Sequence, residues 1–539
     1  MKIKQLAELG TELLSKKTSL NSLWQEIANN FYPERASFTT TRYLGEDFAA
    51  NLSSSYPITC RRDLANQFGT MLRPTSRRWF HVKRKHEETA KHEDTEIRQV
   101  LEYFENTQRK AMYDPPALFQ RSTKEADNDF ASFGQCAISV DLNRRGDGLL
   151  YKTWHLRDMA WQEDAEGQIS FVVRKWTPTL WNLIQTFGES NIHADYVKKS
   201  EKAPFSKANI YHLVFDADLL DEKAGDKPRW SVYWDAEHHT VIEQTAIYGR
   251  HYIIPRWSVV SSQYAYSPAV IAALPDARLI QAMTFTLLEV NEKAANPPLI
   301  ATHGAVRGDI ALFAGGINWV DQEYDERLGQ ALRPITQDFR GLNYGVDMAM
   351  DTRSMIHRAF YLDTLTLPER TPEMTAYEVG QRIQEYIRNA LPIFEPMETE
   401  YNAALCEETF DLMLRNNAFG SPLDWPKELR GMDVDFMFES PLHDLIDQEK
   451  STLWSQAQAQ LAESIALDPS TQFVVDARTA LRDSLEGLGV PAAWINSEAE
   501  VEEAVEINMQ QEQEAERLAM MKEGSEIASN LAQAESALP

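Results

Sequence analysis

The segment from Asp276 to Asp363 constrains this chain most, because it reads as two long helices with a small β-rich unit strung between them. Over 276–295 the apolar residues Ile280, Met283, Leu287 and Val290 recur three or four apart, which is the seam of an α-helix. Ala277, Phe285 and Leu288 fall on other faces, so this helix wants apolar contacts on more than one side. A helix packed between neighbours in a ring or bundle satisfies that pattern, and so does the central helix of one ordinary domain. Asn296-Pro297-Pro298 ends the helix. Leu299 to Phe339 then reads as short strands with turns at Gly304, Gly308 and Gly315-Gly316, and helix resumes from Gly345 to Asp363. At ~1.5 Å per residue the two helices would be about 30–40 Å and about 28 Å long.

The flanking segments are mixed in type. Helical patterns cover Leu6 to Phe31, Thr59 to Leu72 (with Leu64, Phe68 and Met71 on one face), Asp94 to Met112 and Pro116 to Phe133. From Cys136 the texture changes to β runs: Ala137 to Leu142, Leu149 to Trp154, Ile169 to Trp176, Ile210 to Phe215, Trp230 to Trp234, Thr240 to Gln244 and His251 to Trp257. Their Gly, Asn and Asp turns suit an antiparallel sheet, interrupted by a helix at Thr179 to Phe187. After Leu365 comes a loop with two prolines, 366–374, and then a capping box at Thr375 and Glu378. The helix that follows carries a Glu378/Arg382 pair, should kink or break at Pro392 and Pro396, and continues to Asn416. A short strand at Val434, Phe436 and Phe438 precedes helices from Asp444 to about Leu467. Between Glu498 and Glu516 there are eight Glu and no Lys or Arg, which reads as a solvated, partly helical tail or a helical crown on a ring.

Composition excludes several function classes. With 54 basic against 81 acidic residues the net charge is −27, which opposes non-specific adhesion to nucleic acid. The three cysteines, Cys60, Cys136 and Cys406, are scattered and form no CxxC pair, which argues against a disulfide scaffold or a zinc site and suits a reducing cytoplasm. No stretch of about 18 uncharged apolar residues occurs, so no membrane span is expected. GxxxxGK[ST], GxSxG, HExxH and GxGxxG are all missing, so the sequence points to no enzyme and no cofactor. His238-His239 read as strand neighbours whose rings point to opposite faces and could not chelate one ion. His86 and His92 read as part of a charged surface loop, and no metal site is expected at either place. The bulk reading is a soluble, intracellular α+β protein of three or four domain-sized units.

One family carries the same constellation in the same order. Tyr264-Ala265-Tyr266 before Ser267-Pro268, then Leu274-Pro275-Asp276 and Asn296-Pro297-Pro298, resemble the portal, or head-to-tail connector, proteins of short-tailed bacteriophages. So do Met374 to Val379 with Gln381-Arg382 and Glu385, the strand around Phe436 running into Ser440-Pro441, and Leu64 to Met71 followed by Pro74 and Trp79-Phe80. The resemblance spans about residues 5 to 465. One departure is Ala265, where the family pattern has Gly.

The resemblance implies an α+β portal fold with an α/β wing, a helical stem, a small β-rich clip, a kinked long wing helix and a helical C-terminal crown. On that plan 1–263 is wing, 264–295 the first stem helix, 296–344 the clip and 345–365 the second stem helix. Residues 366–374 become the tunnel loop, 375–470 the wing helix and C-terminal wing, and 471–539 the acidic crown. Leu367, Pro368, Glu369, Arg370, Pro372 and Glu373 would then line the tunnel loop, with Arg353 and Arg358 facing the lumen. The alternative for these arginines is pairing with Asp347 or Asp351. The implied assembly is a dodecameric ring at the capsid portal vertex of the virion, assembled in the host cytoplasm. Its implied partners are double-stranded DNA in the channel, a terminase motor, capsid and scaffolding proteins and a tail adaptor, with no membrane. Its walls should hold DNA loosely, since each neutralised phosphate releases counterions and tightens the grip. Another virion component (a tail adaptor or internal core protein) shares the acidic helical composition without needing this element order. A hydrolase with an acidic cleft is the third reading.

Overall fold

The computed structural model describes residues 2–43, 45, 52–75, 78–85, 95–222, 224–260, 263–301, 342–365 and 388–421 except 391. Single residues and short stretches are also described between 306 and 335, at 385 and from 423 to 511. They belong to two compact units, each discontinuous in sequence: Met1–Arg73 with Pro115–Glu408, and Pro74–Asp114 with Thr409–Pro539.

In chain order the chain forms α1 (Ile3–Lys16), α2 (Thr18–Phe31), α3 (Tyr56–Leu72), β1 (Phe80–Arg84), α4 (Thr95–Met112) and α5 (Phe119–Phe133). Next come β2 (Ile138–Leu142), β3 (Leu149–Thr153), β4 (Met159–Glu163), β5 (Ile169–Trp176), α6 (Leu180–Phe187) and α7 (Ala194–Lys202). Then follow β6 (Ile210–Asp216), β7 (Arg229–Asp235), β8 (Thr240–Ile247), β9 (Tyr252–Ile253), β10 (Ser258–Val259), β11 (Ala265–Tyr266) and α8 (Pro268–Ala295). The remainder is β12 (Leu299–Ala301), β13 (Val306–Arg307), β14 (Trp319–Val320), β15 (Leu332–Pro334), α9 (Leu342–Ala359), α10 (Ala404–Arg415), β16 (Val434–Phe438) and α11 (Ala477–Gly487).

The first unit is organised by a five-stranded antiparallel sheet in the order β4-β5-β6-β7-β8. Alternation gives it two unlike faces. Val173, Leu213, Phe215, Trp230, Val232 and Trp234 pack beneath Leu6, Ala7 and Leu13 of α1. Gly10 lets this helix lie close, since a Cβ there would stand 3.0 Å from Val173 Cγ2. The opposite face carries Arg174 and His212, buried in a polar chain. Arg174 Nε donates to the Tyr252 hydroxyl at 2.6 Å, that hydroxyl meets His212 Nδ1 at 2.5 Å, and His212 Nε2 meets Ser231 Oγ at 2.8 Å. At one end of the sheet Leu180, Leu183 and Tyr196 of α6 and α7 close over Ile210 and Ile242.

Several local expectations are corrected. The helix expected over 6–31 is two helices broken at Lys17, whose buried Nζ donates to the carbonyls of Leu156 (2.6 Å), Arg157 (3.3 Å) and Met159. Strand β4 was not expected from the sequence. His238 and His239 lie in the turn between β7 and β8 rather than on a strand, with His239 at φ 56°. The first long helix begins at Pro268, not Asp276, and passes through Pro275. His86 and His92, the capping box at Thr375 and the loop 366–374 lie outside the described residues.

The second unit pairs β1 with β16 antiparallel, placing Phe80 opposite Phe438. Phe104 of α4 packs on Phe410, Phe419 and Trp425 with ring centroids 6.0, 5.0 and 4.9 Å apart. Glu105 on the same helix accepts from the Val82 N–H at 2.9 Å, fixing α4 to the ribbon.

Candidate oligomerisation surface and stem

Helices α8 and α9 pack together as an antiparallel pair. Gly345 near the start of α9 abuts Leu287 near the end of α8, so closely that a Cβ there would be 3.1 Å from Leu287 Cδ2. The base of the pair is fastened to its own unit. Ser267 caps α8 by accepting the Val270 N–H at 3.3 Å and donates to the Ala131 carbonyl at 2.7 Å. Pro268 follows at the first helical position, where its missing N–H costs nothing. Gly134, which ends α5 at φ 73°, makes this junction possible: a Cβ there would fall 2.1 Å from the Tyr266 carbonyl carbon. Ala265, the departure from the family pattern, has no positive φ, and its N–H donates to Gln135 Oε1 at 2.9 Å. No glycine is required there.

Further along α8, Arg278 Nε donates to Glu26 Oε1 on α2 at 2.6 Å. The Gln281 amide holds the segment before α3, accepting from the N–H groups of Ser53 and Ser54 at 2.7 and 2.8 Å and donating to the Ser54 carbonyl at 2.8 Å. Ile356 on α9 and Phe360 just after its end are buried, and Phe360 packs on Phe31 at 5.6 Å.

Burial then falls away along the pair. The buried residues of α8 are Ala269, Val270, Ala273, Leu274, Ala277 and Ile280, all in its first half. Beyond them Phe285 is 63% exposed and Leu288 58%. On α9, Tyr344, Met348, Met350 and Met355 are exposed as well, while Ala349 and Thr352 are buried. Of the residues expected on other faces of the first helix, Ala277 is buried with Ile280, while Phe285 and Leu288 stand exposed. By length and composition alone α8 could cross a membrane. The polar bonds of Ser267, Arg278 and Gln281 instead tie its first half to neighbouring helices of the same chain.

The residues named for the lumen are only partly placed. Arg353 is exposed, with its guanidinium 5.9 Å from the centre of the Tyr56 ring. Arg358 is exposed and stands 3.9 Å from Asp363, rather than beside Asp347 or Asp351. Leu367, Pro368, Glu369, Arg370, Pro372 and Glu373 lie outside the described residues.

Residues 3–495 match the family described as "Bacteriophage head to tail connecting protein". The chain belongs to this family. Among similar connectors, the "Probable portal protein" of Bordetella phage BPP-1 is 23% identical over 531 residues, covering 96% of this chain and 93% of that protein. The "Portal protein" of Salmonella phage epsilon15 is 21% identical, covering 100% of this chain and 96% of that protein. A chain of the solved "Virion of native gene transfer agent (GTA) particle" is similar over 80% of this connector and 95% of its own length, with 10% identity and a TM-score of 0.35.

One feature of the connector's kinked helix had no sequence signal beyond its prolines. Residues 392–397 are helical and lead into a π-helical turn, Glu398–Ala403, where the ladder slips by one residue. At that turn Asn402 Oδ1 accepts from Arg73 at 2.8 Å, and Arg73 also pairs with buried Asp127 while lying 4.5 Å above the Tyr401 ring. Burial pushes the Asp127 carboxyl up, against the pull of the Arg73 guanidinium. Cys60, Cys136 and Cys406 are buried and in no disulfide, and burial raises each thiol, to about 11 at Cys60. They suit packing rather than redox chemistry.

Proposed function

We propose that this connector assembles as a closed ring of about twelve identical chains and forms the portal through which double-stranded DNA enters and leaves a tailed-phage capsid. The observation that carries the reading is the uncovered apolar surface of the α8–α9 pair. Phe285, Leu288, Met348 and Met350 are exposed on helices whose bases are fixed by buried polar bonds. In a cyclic assembly each pair meets its neighbours through two different faces, which is what apolar residues on several sides supply. The portal names of the two phage relatives, each matched over nearly its whole length, support the same reading.

On this reading α8 and α9 are the stem, and the small paired strands β12–β15 and β13–β14 belong to the clip between them. The segments 1–263 and 375–470 form the wing, 366–374 the tunnel loop and 471–539 the crown. Arg353 and Arg358 on the stem, with Glu369, Arg370 and Glu373 in the loop, contact the passing DNA. A net charge of −27 per chain keeps the grip loose, so an external terminase motor does the work and the ring is a conduit. Capsid, scaffolding and tail-adaptor proteins are its remaining partners, and its place is the portal vertex of the virion. A tail adaptor or internal core protein has no comparable support.

Particle imaging or mass measurement of the purified protein tests the assembly. A closed ring of about twelve copies is expected; a stable monomer at micromolar concentration would sink the reading.

A further inference from the structure

At the end of the sheet, α7 and the β7–β8 turn bring two histidines and a carboxylate together. His193 is the N-cap of α7, and its unprotonated Nδ1 accepts the Asp195 N–H in a long 3.3 Å bond, which an ion at that lone pair would displace. His238 sits across from it in the turn, its ring stacked on that of His193 with centroids 3.9 Å apart and a 14° angle between planes. Asp195 Oδ2 lies 3.5 Å from His193 Nδ1 and 3.8 Å from His238 Nε2. The three ligand atoms all lie within 4.8 Å of one another. A tetrahedral ion with bonds of about 2.0–2.1 Å sets its ligand atoms about 3.3–3.4 Å apart, close to the two spacings to Asp195, so on binding the two nitrogens draw in around the ion.

The second observation lies behind the cluster. Asp235 is 1% exposed, and its Oδ2 takes the His238 Nδ1 proton at 2.6 Å. Its Oδ1 accepts from the Tyr196 hydroxyl at 3.1 Å and the Glu237 N–H at 2.9 Å, so the carboxylate cannot swing away. Tyr196 also packs edge-on against the His238 ring at 4.6 Å. This fixes the tautomer: Nδ1 is protonated, and Nε2 presents a bare lone pair towards His193 and Asp195. A buried carboxylate holding a histidine in that state is the arrangement that orients histidine ligands in zinc sites. A merely solvated surface histidine would have no such anchor.

We propose that His193, Asp195 and His238 bind one divalent transition-metal ion of the zinc type, with Asp235 as the positioning residue and water completing the coordination. Imidazole nitrogens with one carboxylate suit zinc, nickel or copper better than magnesium or calcium, which prefer oxygen ligands throughout. The N-terminus of α7 disfavours a cation, and the carboxylates of Asp195 and Asp235 offset that field. The near-parallel rings rotate on binding. Asp195 and His193 stand on the more exposed side, with side chains 67% and 35% exposed, and the rotation exchanges the 3.3 Å cap bond of His193 for the ion. The ion would tie α7 to the β7–β8 turn. The site is independent of the ring proposal.

The test is calorimetric titration of the metal-stripped, full-length protein with Zn²⁺, paralleled by the visible absorption of bound Co²⁺. One ion per chain is expected. His238→Gln should weaken binding at least tenfold, as should His193→Asn, which keeps an acceptor for the α7 cap and so spares the fold. Asp235→Asn should weaken it less, because a ligand orientation is lost but no ligand. Absence of saturable binding, or binding that His193→Asn leaves unchanged in a folded variant, would overturn the proposal, since the chain's other histidines would then be the ligands.

Discussion

His212 is buried and His155 and His251 are half-buried, and desolvation is the main cause of a lowered value in each case. His155 is pushed down to about 2 and His251 to about 4, with His212 held well below its ordinary range. For His155 the geometry agrees: Nδ1 accepts the Arg157 N–H at 3.0 Å, so a proton there would remove a bond. Its folded value lies below the unfolded one of 6.5, so between about 2 and 6.5 the unfolded chain binds the extra proton and stability falls as pH falls. Not every buried group acts this way. Burial raises Asp129 to about 6 despite Arg35, which adds stability as pH falls from about 6 towards 3.8. Comparing wild type with His155→Gln isolates one site. The variant should lose about 2 kcal/mol less stability between pH 6.5 and 5, read from urea unfolding at each pH. Parallel pH profiles would mean that His155 takes up its proton in the folded chain as readily as in the unfolded one. A larger loss is expected at Arg73. Arg73→Met leaves the Asp127 carboxylate buried and Asn402 without its donor, and should cost about 3–5 kcal/mol in the same assay.

At the scale of elements, the α8–α9 pair separates the proposed assembly from folding. Phe285 and Leu288 are exposed in the single chain, so serine at both positions should leave the far-UV spectrum and thermal midpoint of an isolated chain nearly unchanged. If those side chains are covered in the ring, each should remove about 1.5–3 kcal/mol per interface, and light scattering should show rings dissociating. Rings of unaltered stability would show that another face makes the contact. Elements with one strong local pattern were legible in the sequence. Ile169–Trp176 was located end to end, because its β-branched and aromatic residues stop at Thr177-Pro178. Met159–Glu163 carries little strand signal because only Trp161 among its five residues favours strands, and the strand exists through its pairing with β5. The break at Lys17 was hidden for a related reason: the carbonyls that bind its ammonium lie 139 to 142 residues away. The runs ending at Trp234 and beginning at Thr240 leave the β7–β8 turn in its place, but Ala236 and Glu237 lack the usual turn chemistry, so His238-His239 read as strand neighbours.

For the whole molecule, the order helix, β-rich unit, helix was readable from the sequence, as was the family, because order and spacing survive when local patterns blur. The candidate metal cluster was not, since His193 and His238 are joined only by the folding of the sheet. If the proline loop 366–374 contacts DNA, shortening it should leave rings intact by imaging while lowering the DNA retained in filled particles. Normal packaging and retention by such rings would remove the loop from the mechanism. The pairing of Phe80 with Phe438 also has a consequence in time. A ribosome adding about 5–20 residues per second needs roughly 20–70 s to travel from β1 to β16. Throughout that interval Phe80 and Val82, both buried in the finished chain, line a strand whose partner has not yet been made. Synthesis therefore passes through a long stage with an open, apolar β-edge, the stage at which a nascent chain is most exposed to mispairing and most in need of a chaperone.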